Sequence, residues 1–342
     1  MDKKFWVGGY SPDGGGASLG IRAVEISNGV LRDLGLAHHA DSPSWIATHP
    51  KLPVIYAALE PRGEVAAYAI IDYDRLELLG KPVPAGDLVC HLTVAGSAGP
   101  LIASCYGDGR VLAFPVNPDG SLAKPAVAPA SKDPFAVPGH DARASRSHQS
   151  TVLRSGRIIT TDLGHDSLRV WDLDAGELRL RQQIALRKGD GPRHLVEHPS
   201  GLIYVVTEHG AEVVALQADL TGIYREVSRT GLGEAIFAGE HFPAEISLDP
   251  NTNRLYVGVR GARVVVVLGL NAGRPLVLGS APCEGEWPRH HLQVGSSLLV
   301  ANQLSNTIQV LGMDRQDGLP SKRLGSLAID SPTCIAAQVA GR

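Results

Sequence analysis

Cysteine is scarce in this sequence, and long apolar runs are missing. The 342 residues include 4 cysteines: Cys90, Cys105, Cys283 and Cys334, each in apolar surroundings and without metal-ligand spacing. Reduced, buried thiols in a cytoplasmic protein are expected, not a disulfide framework. No stretch is apolar for long enough to span a bilayer, and residues 1–6 run straight into a strand-like segment without a signal-peptide pattern. An excess of charge is missing as well. A formal net charge of -3 gives no reason to expect a nucleic acid or a membrane surface as partner. The pairs His38-His39 and His290-His291 lack a third ligand, so neither a metal nor another cofactor is expected. A linker is also absent. The 39 glycines and 23 prolines are scattered along the chain, as turns between many short strands require, and residues 1–342 are expected to form one domain.

What the chain does contain is a repeat. Pro192-Arg193-His194-Leu195-Val196-Glu197 reads as a strand, His198-Pro199-Ser200-Gly201 as a tight turn, and Ile203-Tyr204-Val205-Val206-Thr207-Glu208 as a returning strand. Similar hairpins begin near Trp45, His91, His148, Glu245 and Arg289, so the six anchors lie 44 to 57 residues apart. Each hairpin is followed by a third apolar segment, such as 64–70 or 263–268, and a weaker fourth. That is the length of a four-stranded propeller blade. A seventh unit is split, with its first strand at 333–339 and its other three within 5–37. The expected fold is all-β, a seven-bladed β-propeller closed by pairing of the N- and C-terminal strands, which leaves no open sheet edge.

In such a ring one face collects the starts of first strands and the ends of second strands. The residues so paired are Trp45 with Glu60, His91 with Tyr106, His148 with Asp162, Arg193 with Glu208, Glu245 with Arg260, and Arg289 with Gln303. Tyr10 and Cys334 come from the split unit. Most of these are ionisable or strongly hydrogen-bonding, and converging charges in a concavity mark a small-molecule site. Arg193-Glu208 and Glu245-Arg260 also read as simple neutralising pairs. His49 and His198 fall in the His-Pro turns at the opposite end and are expected to be structural. Two long linkers, 131–146 and 225–243, are expected on the charged face, where they would wall the site or merely decorate the surface.

The motifs Gly191-Pro192-Arg193-His194, Val205-Val206-Thr207-Glu208, Ala244-Glu245-Ile246, Val259-Arg260-Gly261, Trp287-Pro288-Arg289 and Asp162-Leu163-Gly164 together resemble the seven-bladed propeller lactonases. That family includes propeller-type 6-phosphogluconolactonases and carboxymuconate-lactonising enzymes. The resemblance covers all blades and implies a catalytic set of His148, Arg193, Glu208 and Arg260. His91, Tyr106, Glu245, Arg289, Gln303, Glu60 and Tyr10 are then expected around the substrate. The sequence departs from the pattern at Arg146, where the family carries the first histidine of a His-x-His, and at Ser104-Cys105-Tyr106-Gly107, where Asn-Tyr-Gly is usual. The implied activity is metal-free hydrolysis of a small anionic sugar lactone by a monomer. Arginines would polarise the carbonyl, and Glu208 or His148 would take the proton from water. A lactone-forming cyclase and a non-catalytic binding propeller, the latter suggested by the lone Trp171-Asp172, are the alternatives.

Overall fold

Second strands such as Val54–Leu59 and Ile203–Thr207 are apolar at nearly every position and buried throughout, because neighbouring blades cover both of their faces. Fourth strands such as Glu177–Ala185 alternate, with Leu178 and Ile184 inward and charged residues outward. This gradient from a fully buried second strand to a half-exposed outer one builds a ring of radial sheets. A computed structural model, which describes residues 3–27 and 30–338, shows seven such sheets.

Blade 1 comprises Pro43–Thr48, Val54–Leu59, Glu64–Asp72 and Arg75–Leu78, with Val83–Pro84 added on the third strand. Blades 2 to 6 begin at Val89, Ser147, Pro192, Phe242 and Pro288. Blade 7 is the split unit: Pro332–Ala337 pairs with Lys3–Gly9, which continues to Gly20–Ser27 and Val30–His39. The last strand thus ends two residues earlier than the sequence suggests, and Val339 lies outside the described residues. Ring closure rests on the ladder from Phe5↔Ala337 to Gly9↔Pro332. Apolar clusters then join neighbouring blades, as where Phe5 and Val7 meet Leu299 and Val310. No helix among the described residues is long and apolar enough to cross a membrane.

His49 and His198 hold the turns at the lower ends of the hairpins. The amides of Lys51 and Leu52 donate to His49 Nδ1 at 3.1 and 2.9 Å, and the Ser200 amide donates to His198 Nδ1 at 3.1 Å. The 225–243 segment is less of a linker than its sequence suggests. Residues Tyr224–Gly231 form the fourth strand of blade 4, and Phe242 already belongs to blade 5.

At the closure, a Cβ added to Gly8 would sit 2.1 Å from the carbonyl oxygen of Pro43 in blade 1. Backbone on both sides cannot give way. Gly8→Ala is therefore expected to destabilise the protein by about 1–3 kcal/mol, read as a lower denaturation midpoint in urea. An unchanged midpoint would mean that the blade 7–blade 1 contact is loose.

Candidate active site

One irregularity recurs in all seven blades. Where the innermost strand begins, its pairing with the second strand slips by one residue, a β-bulge at the same end each time. In blade 4, Pro192 opposes Thr207 and Leu195 opposes Val205, so Arg193 and His194 share the space opposite Val206. A bulge re-aims the side chains it carries. In blades 2, 4 and 6 the first residue of the bulged pair, Cys90, Arg193 or Arg289, turns up toward the mouth of the channel, and the next, His91, His194 or His290, turns down into it.

The upward set includes Cys90, His148, Arg193 and Arg289, which line a cavity of about 240 Å³ at one mouth. The ends of second strands supply Tyr106, Glu208 and Arg260, and the turn that follows the second strand of blade 1 supplies Glu60. Tyr10 follows the second strand of the split blade. A larger cleft of about 350 Å³ on the outer rim, near Leu19 and His38, lacks this convergence of charge and is not the better candidate.

Glu208 is set by Gly191: the Glu208 amide donates to the Gly191 carbonyl at 2.7 Å. Gly191 has φ +60, and a Cβ there would meet His209 Nδ1 at 2.8 Å, so glycine is needed for this return of the chain. The Glu208 carboxylate then lies between two guanidiniums. Arg260 Nη2 approaches its Oε2 at 2.6 Å and Arg193 Nε at 3.0 Å. Arg260 is steadied further by donating from Nε to the Phe242 carbonyl at 3.0 Å and by stacking on Trp287. The Arg193 contact is an ion pair without hydrogen-bond alignment, and its Nε and Nη1 have no hydrogen-bond partner although the residue is 3% exposed.

Across the pocket, Arg289 donates from Nη2 to the Tyr10 hydroxyl at 2.7 Å, and that hydroxyl donates to Glu60 at 2.9 Å. Gln303 joins these hydrogen bonds at Arg289, its Oε1 accepting from Nη1 at 3.4 Å. His148 faces Tyr106 edge-on at 6.0 Å between ring centroids, and its Nδ1 has no hydrogen-bond partner.

Charge in this small space is finely set. Burial pushes the Glu208 carboxyl up, but the Arg260 and Arg193 cations outweigh it and hold the group below the usual carboxylate range. Burial, followed by the nearby Arg193 cation, pushes His148 well below the ordinary histidine value, so its ring is neutral at neutral pH. Burial and the Arg260 cation lower Arg193 to about 9, which leaves it a cation at neutral pH. Counting Arg193, Arg260 and Arg289 against Glu208 and Glu60, the lining carries one more cation than anion.

His91 and Glu245 are not in this cavity. They belong to the downward set, one layer deeper, with His194, His290 and Trp45. Glu245 Oε2 lies 2.9 Å from His194 Nδ1 and 3.5 Å from His290 Nε2. Trp45 stacks at 4.3 Å on His91 and meets His194 and His290 edge-on. The expected Glu245-Arg260 pair therefore does not form, because each residue is recruited by a different neighbour. The expected pairings of His91 with Tyr106 and His148 with Asp162 fail as well. Asp162 instead fixes the 131–146 linker, accepting from the Ser145 hydroxyl and the Arg146 amide. That linker brings Arg146 over the Tyr106 ring at 4.9 Å. Cys334 packs in the core between blades 7 and 1. Cys90 and Leu88 line the pocket although nothing in their residue types announces it.

A seven-bladed propeller whose channel is stoppered by histidines and a tryptophan, with buried arginines and a carboxylate opening above, is built for a small molecule. Residues 4–337 match the profile of the family described as "Lactonase, 7-bladed beta-propeller". The chain belongs to that family, and it is a lactone-hydrolysing enzyme. It is 26% identical to the 6-phosphogluconolactonase of Bacillus subtilis over 344 residues, covering 96% of this chain and 97% of that one. It is also 26% identical to the 6-phosphogluconolactonase of Pectobacterium atrosepticum, over 85% of this chain and 87% of that one. Among solved structures, the periplasmic gluconolactonase of Pseudomonas aeruginosa superposes with a TM-score of 0.87 at 23% identity, covering all of both chains. A Lactobacillus plantarum protein superposes at 0.89 and 22%, over 99% of this chain and 100% of that one. These two likenesses show the shared fold.

Proposed function

We propose that the protein opens a small anionic sugar lactone, of the 6-phosphogluconolactone kind, by water attack at the pocket of Arg193, His148, Glu208 and Arg260. One observation carries this assignment. Arg193 is buried with an unpartnered Nη1, beside a neutral histidine with an unpartnered ring nitrogen, in a single pocket.

The lactone carbonyl oxygen accepts from Arg193, whose fixed guanidinium meets the negative charge that develops as water adds. His148 takes the proton from that water. Its depressed basicity in the free enzyme reflects burial and the surrounding arginines, and the oxyanion formed in the same step offsets that unfavourable field. The tetrahedral intermediate collapses, the ring C–O bond breaks, and the proton passes from His148 to the departing ring oxygen. The product is the open hydroxy acid. Glu208, held between two guanidiniums, is a weak base. Its role is to fix Arg193 and Arg260 and to keep their charges from repelling one another. Because arginines already supply the positive field, a divalent cation is disfavoured here, and metal-free catalysis follows.

The test is to follow acid release from a panel of sugar lactones, with and without a chelator, above spontaneous hydrolysis. We expect turnover insensitive to chelation. Loss of activity in chelator, restored by a divalent ion, overturns the metal-free mechanism. No turnover of any lactone overturns the assignment to hydrolysis.

A further inference from the structure

We infer that Arg146, at the edge of the pocket, is the binding group for a phosphate carried on the lactone, and so decides between phosphorylated and neutral substrates. This rests on the lactonase assignment above and adds a specific residue to it.

The arginines near the pocket differ in one respect. Arg193 and Arg260 are held by Glu208, and Arg143 is held by Asp133 at 2.7 Å and by Asp166. Arg289 is tied to Tyr10 and Gln303. Arg146, among the described residues, has no carboxylate partner. Its one side-chain hydrogen bond runs from Nη1 to the Tyr106 carbonyl at 3.3 Å, and its guanidinium lies over the Tyr106 ring. A guanidinium held over an aromatic ring, with one donor on a carbonyl, keeps its remaining N–H donors for an anion.

Its position is fixed by the backbone and not by its own charge. The Arg146 amide donates to Asp162 at 2.8 Å, and its carbonyl accepts from the Leu163 amide at 2.9 Å. Close packing leaves little play: a Cβ on Gly164 would meet the Ala144 carbonyl oxygen at 2.0 Å and Arg146 Cγ at 3.0 Å. The 131–146 linker thus has a built reason to deliver this residue here.

Arg146 lines a second cavity of about 270 Å³, and His209 is on its wall. Tyr106 lines both this cavity and the pocket of Arg193 and His148. A lactone ring placed at Arg193 can therefore pass its far end across Tyr106 toward Arg146. Arg143 on the same wall is already neutralised, so Arg146 is the cation with unused charge. A phosphate monoester, a dianion at neutral pH, uses the remaining donors of Arg146 and the field of the cation-rich pocket.

The experiment compares kcat/KM for 6-phosphoglucono-δ-lactone and glucono-δ-lactone in the wild type, Arg146→Gln and Arg146→Lys. A lactone with a carboxylate at its far end is run alongside. Arg146→Gln is expected to lose about ten- to a hundredfold on the phosphorylated lactone, mainly through KM, and less than twofold on the neutral one. Arg146→Lys recovers part of the loss. Equal losses on both lactones, or no loss on either, overturn the inference. A larger loss on the carboxylate lactone overturns the choice of phosphate. If the wild type opens none of the three, the lactonase assignment has failed, but the subsite remains testable. Inorganic phosphate binding by calorimetry should then weaken about tenfold or more in Arg146→Gln, and unchanged binding overturns it.

Discussion

Arg193→Lys is expected to lower kcat for lactone opening by about a hundred- to a thousandfold, the usual loss when an oxyanion donor is removed. Lysine keeps the positive charge but not the planar fork, and its single ammonium would be drawn onto Glu208, which already lies 3.0 Å from Arg193 Nε. The guanidinium with its unpartnered Nη1, which the residue brings to the pocket, has no counterpart in lysine. Thermal unfolding should change little, because blade 4 is held by apolar packing of Leu195, Val205 and Val214 away from the mouth. Two companion variants separate the roles around it. His148→Gln removes the proton acceptor and should cost about a hundred- to ten-thousandfold. Glu208→Gln should leave the acid limb of the pH profile in place, because that limb belongs to His148. Near-wild-type turnover by His148→Gln, with an acid limb lost only in Glu208→Gln, would transfer the base to Glu208. Wild-type kcat in Arg193→Lys would remove Arg193 from the chemistry.

Most of the ring was legible in the residues. A strand–turn–strand unit with a fixed spacing, and a remainder divided between the two ends, specifies seven blades and their closure without any knowledge of side-chain packing. The pocket was legible in part. Arg193, Glu208, Arg260, His148, Arg289, Tyr106, Tyr10 and Glu60 meet in one cavity, because hairpin geometry alone carries strand starts to strand ends. What was not legible is the bulge. It inserts one residue at the start of each inner strand, and alternation on a strand makes a one-residue offset the difference between up and down. Anchoring blades 1, 2 and 5 on Trp45, His91 and Glu245 selects the residues that turn down, whereas His148, Arg193 and Arg289 turn up. The positional counterparts, Ser44, Cys90 and Ala244, are too plain to attract notice, and of the three Cys90 lines the pocket. The downward layer of His194, His290, Glu245 and Trp45 was invisible for the same reason, although His194 and His290 each directly follow a site arginine.

That buried layer makes the protein sensitive to acid. Burial pushes His290 and His291 down from 6.5 to about 4, against the nearby Glu245 carboxylate, which pulls the other way. Burial, with neighbouring cations or imidazoles, holds His91, His148 and His194 well below the ordinary value too. In the unfolded chain all five return to the usual histidine range. Between the folded and unfolded values the unfolded state binds more protons, so stability rises with pH up to about 6.5 and is lost as pH falls below it. For a group moved from 6.5 to about 4, the loss at pH 5 is about 2 kcal/mol. Several coupled sites contribute less than their sum but more than one alone. At about one to two degrees per kcal/mol for a chain of this length, the melting temperature should fall by about 5 °C or more between pH 7.5 and pH 5. His290→Gln, which leaves a neutral polar group against Glu245, should make the slope shallower even if it lowers the plateau. A melting temperature that stays level from pH 7.5 to pH 5 at constant ionic strength would mean that these histidines titrate as freely in the channel as in water.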